Sequence, residues 1–487
     1  MSTPAHRLRL ANDRPIRTDG NFVLYWMIGA RRSSSSFALD RALELAEALG
    51  RPLLVFEPLR AGYRWASDRH HAFVVEGMRD NARAFADVDV AYFPYLEPAP
   101  GSGRGVLAAL AQTASVVVTD EALGFFQPRM LAAAARALEV RLEVIDGNGL
   151  LPVRAVDKAY PSAAHFRRAL QKLLPTHLAD APSARPFAQS SSKRGKPLPR
   201  AEVPSAILRR WPAADLAAPT PWSALPIDHT VPPSTTLRGG SGVAQRRLGE
   251  FLAHRLAHYE ERSEPDVDAV SGLSPWLHFG HIGAHEVFAA VARHERFDPT
   301  RAGHVTSGAK QGFWGMSANV EAFLDELVTW RELALNGAAF LPGFDTFTLP
   351  EWAHRSLDKH AGDPRGPAPT PAELDEGATA DPVWNAAQQQ LRHQGVMQNY
   401  LRMLWGKRVL AWSSSPRQAF DTLVELNNRY ALDGRDPNSY AGIAWCFGRY
   451  DRPWPERPVF GVIRCMTSGS ALKKLDMKNY VATWSPL

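Results

Sequence analysis

Trp384, Trp405 and Trp412 are the side chains in this chain best placed by type and spacing to move charge. Trp405 and Trp412 are seven residues apart in Tyr400-Leu-Arg-Met-Leu-Trp405-Gly-Lys-Arg-Val-Leu-Ala-Trp412. On a helix that is about two turns, so both rings share a face roughly 10 Å apart along the axis. Trp384 precedes a helix break expected near Gly395 and can fold back beside them. Three indoles so spaced can relay an electron to a buried acceptor. They can also simply fill a core, the commoner use of tryptophan. Glu326 and Trp330 lie four apart, on one helical face. Their neighbours Phe323, Leu324, Leu327 and Val328 make the segment largely apolar, and a protonated Glu326 would need a raised pKa. Gly272 and Ser274-Pro275 read as a helix start, where free N–H groups attract phosphate oxygens and the hydroxyls of Ser271 and Ser274 add hydrogen bonds. Arg402, between Leu401 and Met403, is a cation set in an apolar segment.

Composition bounds what can position these groups. The chain has 487 residues, 45% hydrophobic and 22% charged, as expected of a globular protein with two or more domains. It contains no uninterrupted apolar run long enough to span a bilayer. Arg7, Arg9, Arg14 and Arg17 punctuate a start that lacks the apolar centre of a secretory signal, so a cytoplasmic protein without a membrane partner is expected. Cys446 and Cys465 are the only cysteines, so no zinc site or disulfide framework is expected, and no metal. A net charge of +6 permits contact with a polyanion such as DNA without establishing it.

The pattern along the chain divides in three. Residues 20–175 read as an α/β domain. Apolar, β-rich runs at 21–28, 52–56, 88–93 and 115–119 alternate with helical patterns at 37–50, 66–87, 104–113 and 127–139. Such alternation predicts a parallel, Rossmann-like sheet with ligands at the strands' carboxyl ends, after Met27 and Phe56. There is no Gly-x-Gly-x-x-Gly fingerprint there. Residues 176–238 read as a long, partly mobile surface linker, its basic cluster Lys193, Arg194, Lys196 and Arg200 being solvated or touching phosphate. From 239 to 487 the pattern is helical, with helices expected over 244–259, 283–294, 318–336, 385–412 and 416–429. The stretch 430–470 reads as loops.

Several longer words resemble the photolyase/cryptochrome family, specifically the class II cyclobutane pyrimidine dimer photolyases. They are Trp384-Asn-Ala-Ala-Gln388, Tyr400-Leu-Arg-Met403, Leu432-Asp-Gly-Arg-Asp-Pro-Asn438, Gly442-Ile-Ala-Trp445, Asp451-Arg-Pro-Trp454, Arg457-Pro-Val-Phe-Gly461 and Ile463-Arg464. Upstream, Ser271-Gly-Leu-Ser-Pro-Trp-Leu-His-Phe-Gly280 is similar to the family's flavin loop, and Arg64 to His71 to its N-terminal domain. The likeness runs from about residue 20 to the C-terminus. It implies an α/β antenna domain and an all-α domain that holds FAD, bent into a U and active when reduced and anionic. A second, antenna chromophore of unread identity is also implied.

The resemblance also assigns roles. Tyr259, Ser271, Gly272, Leu273 and Ser274 correspond to the diphosphate site. Arg402 and Asp433 correspond to the ion pair beside the isoalloxazine, and Asn427 to the amide facing flavin N5. Trp405, Trp384 and Trp412 follow the family's relay order from flavin to solvent. A lesion in duplex DNA must be flipped out to reach a buried ring. Trp330, Met403 and Trp445 correspond to the walls that receive it and Glu326 to the carboxyl that bonds it. Arg452 and Trp454 correspond to the covering loop, and Arg464 to the arginine that fills the gap in the duplex. The implied activity is light-driven splitting of cyclobutane dimers by a deoxyribodipyrimidine photo-lyase, a carbon–carbon lyase. It would act on UV-damaged DNA as a monomer without an obligate protein partner, in the cytoplasm or, in a bacterium, on the nucleoid. A cryptochrome-like photoreceptor without repair activity is the alternative. The sequence departs from the family at Ser33–Ser36, Gln398, Asn428, Ser439 and His281. His281 could be a proton donor of the kind used on (6-4) lesions or a structural hydrogen-bonder.

Overall fold

Five buried or nearly buried apolar runs set the first half of the molecule. In the computed structural model, which describes residues 3–88, 90–190, 200–303 and 306–485, they form strands of one sheet. These are β2 (Phe22–Trp26), β3 (Leu53–Leu59), β4 (Val90–Leu96), β5 (Ala114–Asp120) and β6 (Leu142–Ile145), joined at the edge by β1 (Leu8–Leu10). The order is β1-β6-β5-β2-β3-β4; β2 to β6 run parallel and β1 pairs antiparallel with β6. Strand β2 is buried at every position, as a parallel strand covered on both faces must be. Helices Phe37–Leu49, Asp68–Ala86, Val106–Ala111 and Gln127–Ala137 make the crossovers. The first is capped by Ser36, whose side chain accepts from Leu39 N, and ends on Gly50 at φ +62°.

Strands β1 and β6 were not expected. They hold three and four residues, and Glu143 interrupts the apolar run of β6. Sheet pairing therefore reaches upstream of residue 20. The chain leaves β2 toward β3 and β4 on one side and returns to β5 and β6 on the other. Strand β2 is thus the switch point, and a crevice opens at its carboxyl end.

Residues 200–238 of the connecting segment are docked onto the α/β domain. Trp211 joins the apolar core on one face of the sheet and donates from Nε1 to Ser102 O at 2.9 Å, and Trp222 and Leu225 pack against the Asp68–Ala86 helix. Arg79 of that helix donates to Leu216 O at 2.9 Å. Arg200 is exposed, while Lys193, Arg194 and Lys196 fall outside the described residues.

The second half is helical and holds two apolar cores, one around Trp384 and Trp405, the other around Tyr259, Trp276 and Phe323. The expected 385–412 helix is two, Pro382–Gln394 and Asn399–Trp412, because Gly395 terminates the first at φ +76° and Gln398 caps the second. The 244–259 stretch begins as Ser241–Glu250, widens to a π-turn over Phe251–Arg255 and tightens into a 3-10 segment, Leu256–Glu261. The 318–336 stretch is likewise interrupted by a π-turn at Asp325–Trp330. Within 430–470, Pro437–Trp445 is a helix capped by Asp436. Proline there occupies the first helical position, where its missing N–H costs nothing.

The Asp68–Ala86 helix binds the two halves together. Buried Arg69 donates to Leu391 O at 3.1 Å and Tyr430 O at 2.8 Å, and also to Arg392 O. It thereby satisfies the last carbonyls of Pro382–Gln394 and Pro416–Tyr430, where the helix dipole favours a cation. Burial lowers its pKa to about 10, which leaves it charged at neutral pH.

Candidate active site

Helix Asn399–Trp412 carries Arg402, Met403, Trp405 and Trp412, and packs on Pro382–Gln394, which carries Trp384. The Trp384 ring stacks on Trp405 with centroids 6.1 Å apart and planes 7° from parallel; Trp412 meets Trp384 edge-on at 5.6 Å. Trp384 Nε1 donates to Trp405 O at 3.1 Å, and Trp405 Nε1 donates to Gln388 Oε1 at 3.1 Å. Trp384 and Trp405 are buried; Trp412 is half-buried, with the Arg408 guanidinium 4.5 Å over its ring. The indoles therefore form a contiguous line from core toward solvent, with Trp384 in contact with both others.

Arg402, one turn before Trp405, donates from Nη2 to Asp433 Oδ1 at 3.0 Å, both side chains being largely buried. Asn427, near the end of Pro416–Tyr430, is 2% exposed. Its Nδ2 donates to Ser439 Oγ at 2.9 Å and Asn428 Oδ1 at 3.1 Å. Ser439 lies on Pro437–Trp445, so three helices and the loop bearing Asp433 converge here.

Tyr259 is buried in edge-on contact with Phe251 and Phe323. Arg262, one turn on, lies 5.0 Å over the Tyr259 ring and donates to Glu326 Oε1 at 3.2 Å. Gln398 donates to Arg262 O, tying this arm to the tryptophan helix. About a third of the Glu326 side chain is accessible, yet the surrounding protein desolvates its carboxyl. That desolvation pushes its pKa up, Arg262 pulling the other way. Glu326 and Trp330 lie within the π-turn, a distortion that re-aims side chains and recurs at functional sites. Ser274 starts a five-residue helix. Gly272 before it sits at φ +65°, where an added Cβ would come within 2.7 Å of Arg247 Nη2. Ser271 O accepts from Arg247 Nε at 2.8 Å, and Leu273 is buried.

Met403, Trp330 and Trp445 are half-buried. Arg464 lies between two rings, 5.6 Å over Trp445 and 4.9 Å over Trp454, and Arg452 lies 5.0 Å over Trp454. Buried Lys407 donates to Cys446 O at 2.7 Å and sits 5.0 Å from the Trp445 ring centre; burial lowers its pKa to about 8.

Sequence reasoning did not single out Arg262, Gln388, Lys407 or Arg69. Gln388 stood inside a quoted motif, and Arg262 lies one turn after Tyr259; Lys407 and Arg69 gave no local sign of their partners. His281 is held neutral: burial lowers its pKa to about 3, and its Nδ1 accepts from Gly240 N at 3.0 Å. Packed against Phe73 at 5.3 Å, it is a structural hydrogen-bonder and not a proton donor.

A separate cavity of about 190 Å³ lies at the switch point of the sheet. Its lining comes from the segments after β2, β3 and β5, closed by residues 277–284 and 435–437 of the helical half. Tyr63, Phe125, Phe126 and Phe279 give it aromatic walls, and Arg31 and Arg435 add cations.

The donor set fits a flavin nucleotide. A guanidinium pinned by a carboxylate stands near a buried amide, a positive-φ glycine precedes a short helix, and an indole line starts one turn from the guanidinium.

The architecture, an α/β domain followed by a helical domain, is that of photolyases. It is similar to a bacterial class III photolyase structure from Agrobacterium tumefaciens, with a TM-score of 0.69 over 96% of this chain and 86% of that one, at 18% identity. The chain is 33% identical to the deoxyribodipyrimidine photo-lyase of Methanothermobacter thermautotrophicus, over 98% of this chain and 97% of that protein. It is 32% identical to the enzyme of the same name from Oryza sativa subsp. japonica, over 95% and 87% of the two chains. No family model matches. The chain belongs to the deoxyribodipyrimidine photo-lyase family.

Proposed function

We propose that this protein splits cyclobutane pyrimidine dimers in UV-damaged DNA under light, with FAD enclosed by its helical domain. Bound FAD, when reduced, supplies on illumination the electron that opens the cyclobutane ring, and that electron returns after the bond breaks, so nothing is consumed. Tyr259, Ser271, Gly272, Leu273 and Ser274 hold the diphosphate. Arg402, fixed by Asp433, holds positive charge beside the ring, and Asn427 faces it. Trp412, Trp384 and Trp405 bring in the electron that readies the resting enzyme. Glu326, whose pKa burial raises, offers its carboxyl as a hydrogen-bond partner to the lesion. Trp330, Met403 and Trp445 wall the pocket, while Arg452, Trp454 and Arg464 line its entrance and engage the duplex. The aromatic, arginine-lined cavity at the sheet's switch point suits a planar, anionic second chromophore. The protein is proposed to act as a monomer.

The observation that carries this reading is the continuous indole line beginning one turn from the Arg402–Asp433 pair. The test is to irradiate the purified, reduced, FAD-loaded protein with a dimer-containing oligonucleotide and follow the ultraviolet absorbance of the restored bases. Recovery in light and none in darkness is expected. Photoreduction without recovery would favour a photoreceptor, and colourless protein that takes up no FAD would end the proposal.

A further inference from the structure

We propose that Asn428 and Ser439 are positioning residues that lock the Asn427 amide with its oxygen toward the flavin. This rests on the reading that Asn427 faces the flavin. An asparagine amide has two ends of nearly equal size, so something else must choose between them. Here the choice traces to a backbone donor. Arg435 N–H can only donate, and it does so at 2.9 Å to the Asn428 side chain, which identifies the receiving atom as Oδ1. The Nδ2 of Asn428 is then committed to Tyr440 OH, at 3.0 Å. Asn428 Oδ1 also meets the Asn427 amide at 3.1 Å, so the Asn427 atom there must be a donor, Nδ2. Its second hydrogen goes to Ser439 Oγ at 2.9 Å.

Both hydrogens of the Asn427 amide are thereby spent on the protein, and no described residue donates to its Oδ1. A flip would set the buried amide oxygens of Asn427 and Asn428 against each other, and the Ser439 hydroxyl, which can donate or accept, steadies the amide without choosing its orientation. The anchor is itself held. Arg435 takes a left-handed backbone at φ +68°, and its buried guanidinium lies 5.8 Å from each of the Tyr63 and Phe279 ring centres. The same short loop carries Asp433, so one segment orients both Arg402 and, through Asn428, the amide.

The consequence is redox tuning. Flavin N5 is an acceptor when oxidised and bears a hydrogen when reduced. A fixed oxygen opposite N5 therefore favours the reduced ring and raises its potential, whereas an amide free to rotate can present N–H to the oxidised ring and give that advantage away. Asn428 performs this while neutral; a carboxylate at that position would keep the acceptor but add charge.

The test is spectroelectrochemical titration of FAD bound to the full-length protein. The Asn428→Ala/Ser439→Ala double variant is expected to show a more negative midpoint potential than wild type. Ser439→Ala alone should give a smaller shift of the same sign, and Ser439→Thr, which keeps the hydroxyl, should restore the wild-type value. If the double variant does not retain FAD, Asn428→Ala alone decides by the same sign. Asn427→Ala separates the two readings: if it leaves the potential unmoved, Asn427 does not face the flavin. If it moves the potential while the Asn428 and Ser439 variants match wild type, the locking is refuted and the flavin reading stands.

Discussion

Replacing Trp384 with phenylalanine separates readying the enzyme from repair. Trp384 is 1% exposed, lies parallel to Trp405 at 6.1 Å and meets Trp412 at 5.6 Å. Phenylalanine keeps a six-membered ring in the slot but deletes the rest of the indole and the N–H that reaches Trp405 O at 3.1 Å. The lost hydrogen bond costs about 1 kcal/mol and the partly emptied slot about 1–2 kcal/mol. A total of about 2–3 kcal/mol lies within the stability of a typical domain, so the variant should fold. Its FAD content should match wild type, and a urea titration should show the modest destabilisation. Light-driven reduction of the bound flavin by an external thiol should be largely lost, because the link touching both other indoles is gone. Repair by dithionite-reduced variant should persist, since that route bypasses the relay. A folded, FAD-loaded Trp384→Phe protein that photoreduces at the wild-type rate would refute the relay.

Three further outcomes are expected. Buried Glu332 accepts from Leu150 N at 2.6 Å and Leu151 N at 3.1 Å, and burial raises its pKa to about 8. The folded state thus holds a proton that the unfolded chain releases. The resulting stability is full below the ordinary carboxylate range and is lost as pH climbs through about 8, a span worth about 5 kcal/mol. Urea midpoints should show that Glu332→Gln lacks this decline. Arg402→Met should weaken FAD retention about tenfold or more, read by equilibrium dialysis, because a charge-assisted bond is worth about 1.5–3 kcal/mol. Glu326 has its pKa raised by burial, so wild-type repair should fall as pH rises; Glu326→Gln should repair more slowly with a flattened profile and similar lesion affinity.

The tryptophans, the Gly395 break and the parallel α/β pattern were legible because each rests on a local signal: spacing, a left-handed terminator, alternating apolar runs. Strands of three or four residues such as β1 and β6 leave too little pattern to read, and Glu143 spoils what there is. The 430–470 stretch misled because its prolines suggested loops, yet Pro437 follows an aspartate cap and starts a helix. The π-turns at 251–255 and 325–330 leave no trace in a periodicity search built on 3.6 residues per turn. Arg262 with Glu326, and Arg69 with Leu391 and Tyr430, meet across long stretches of chain. Only packing reveals such partners, although each was within reach of a motif already noted.

Because a single arginine of the sheet half terminates both the helix bearing the middle indole and the helix bearing Asn427, the halves are mechanically one object. Severed from its companion, the helical half would lose this partner for the carbonyls at two helix ends, one on the helix of Trp384 and one on the helix of Asn427. The sheet is therefore a foundation for the proposed light chemistry whether or not it ever carries a pigment of its own.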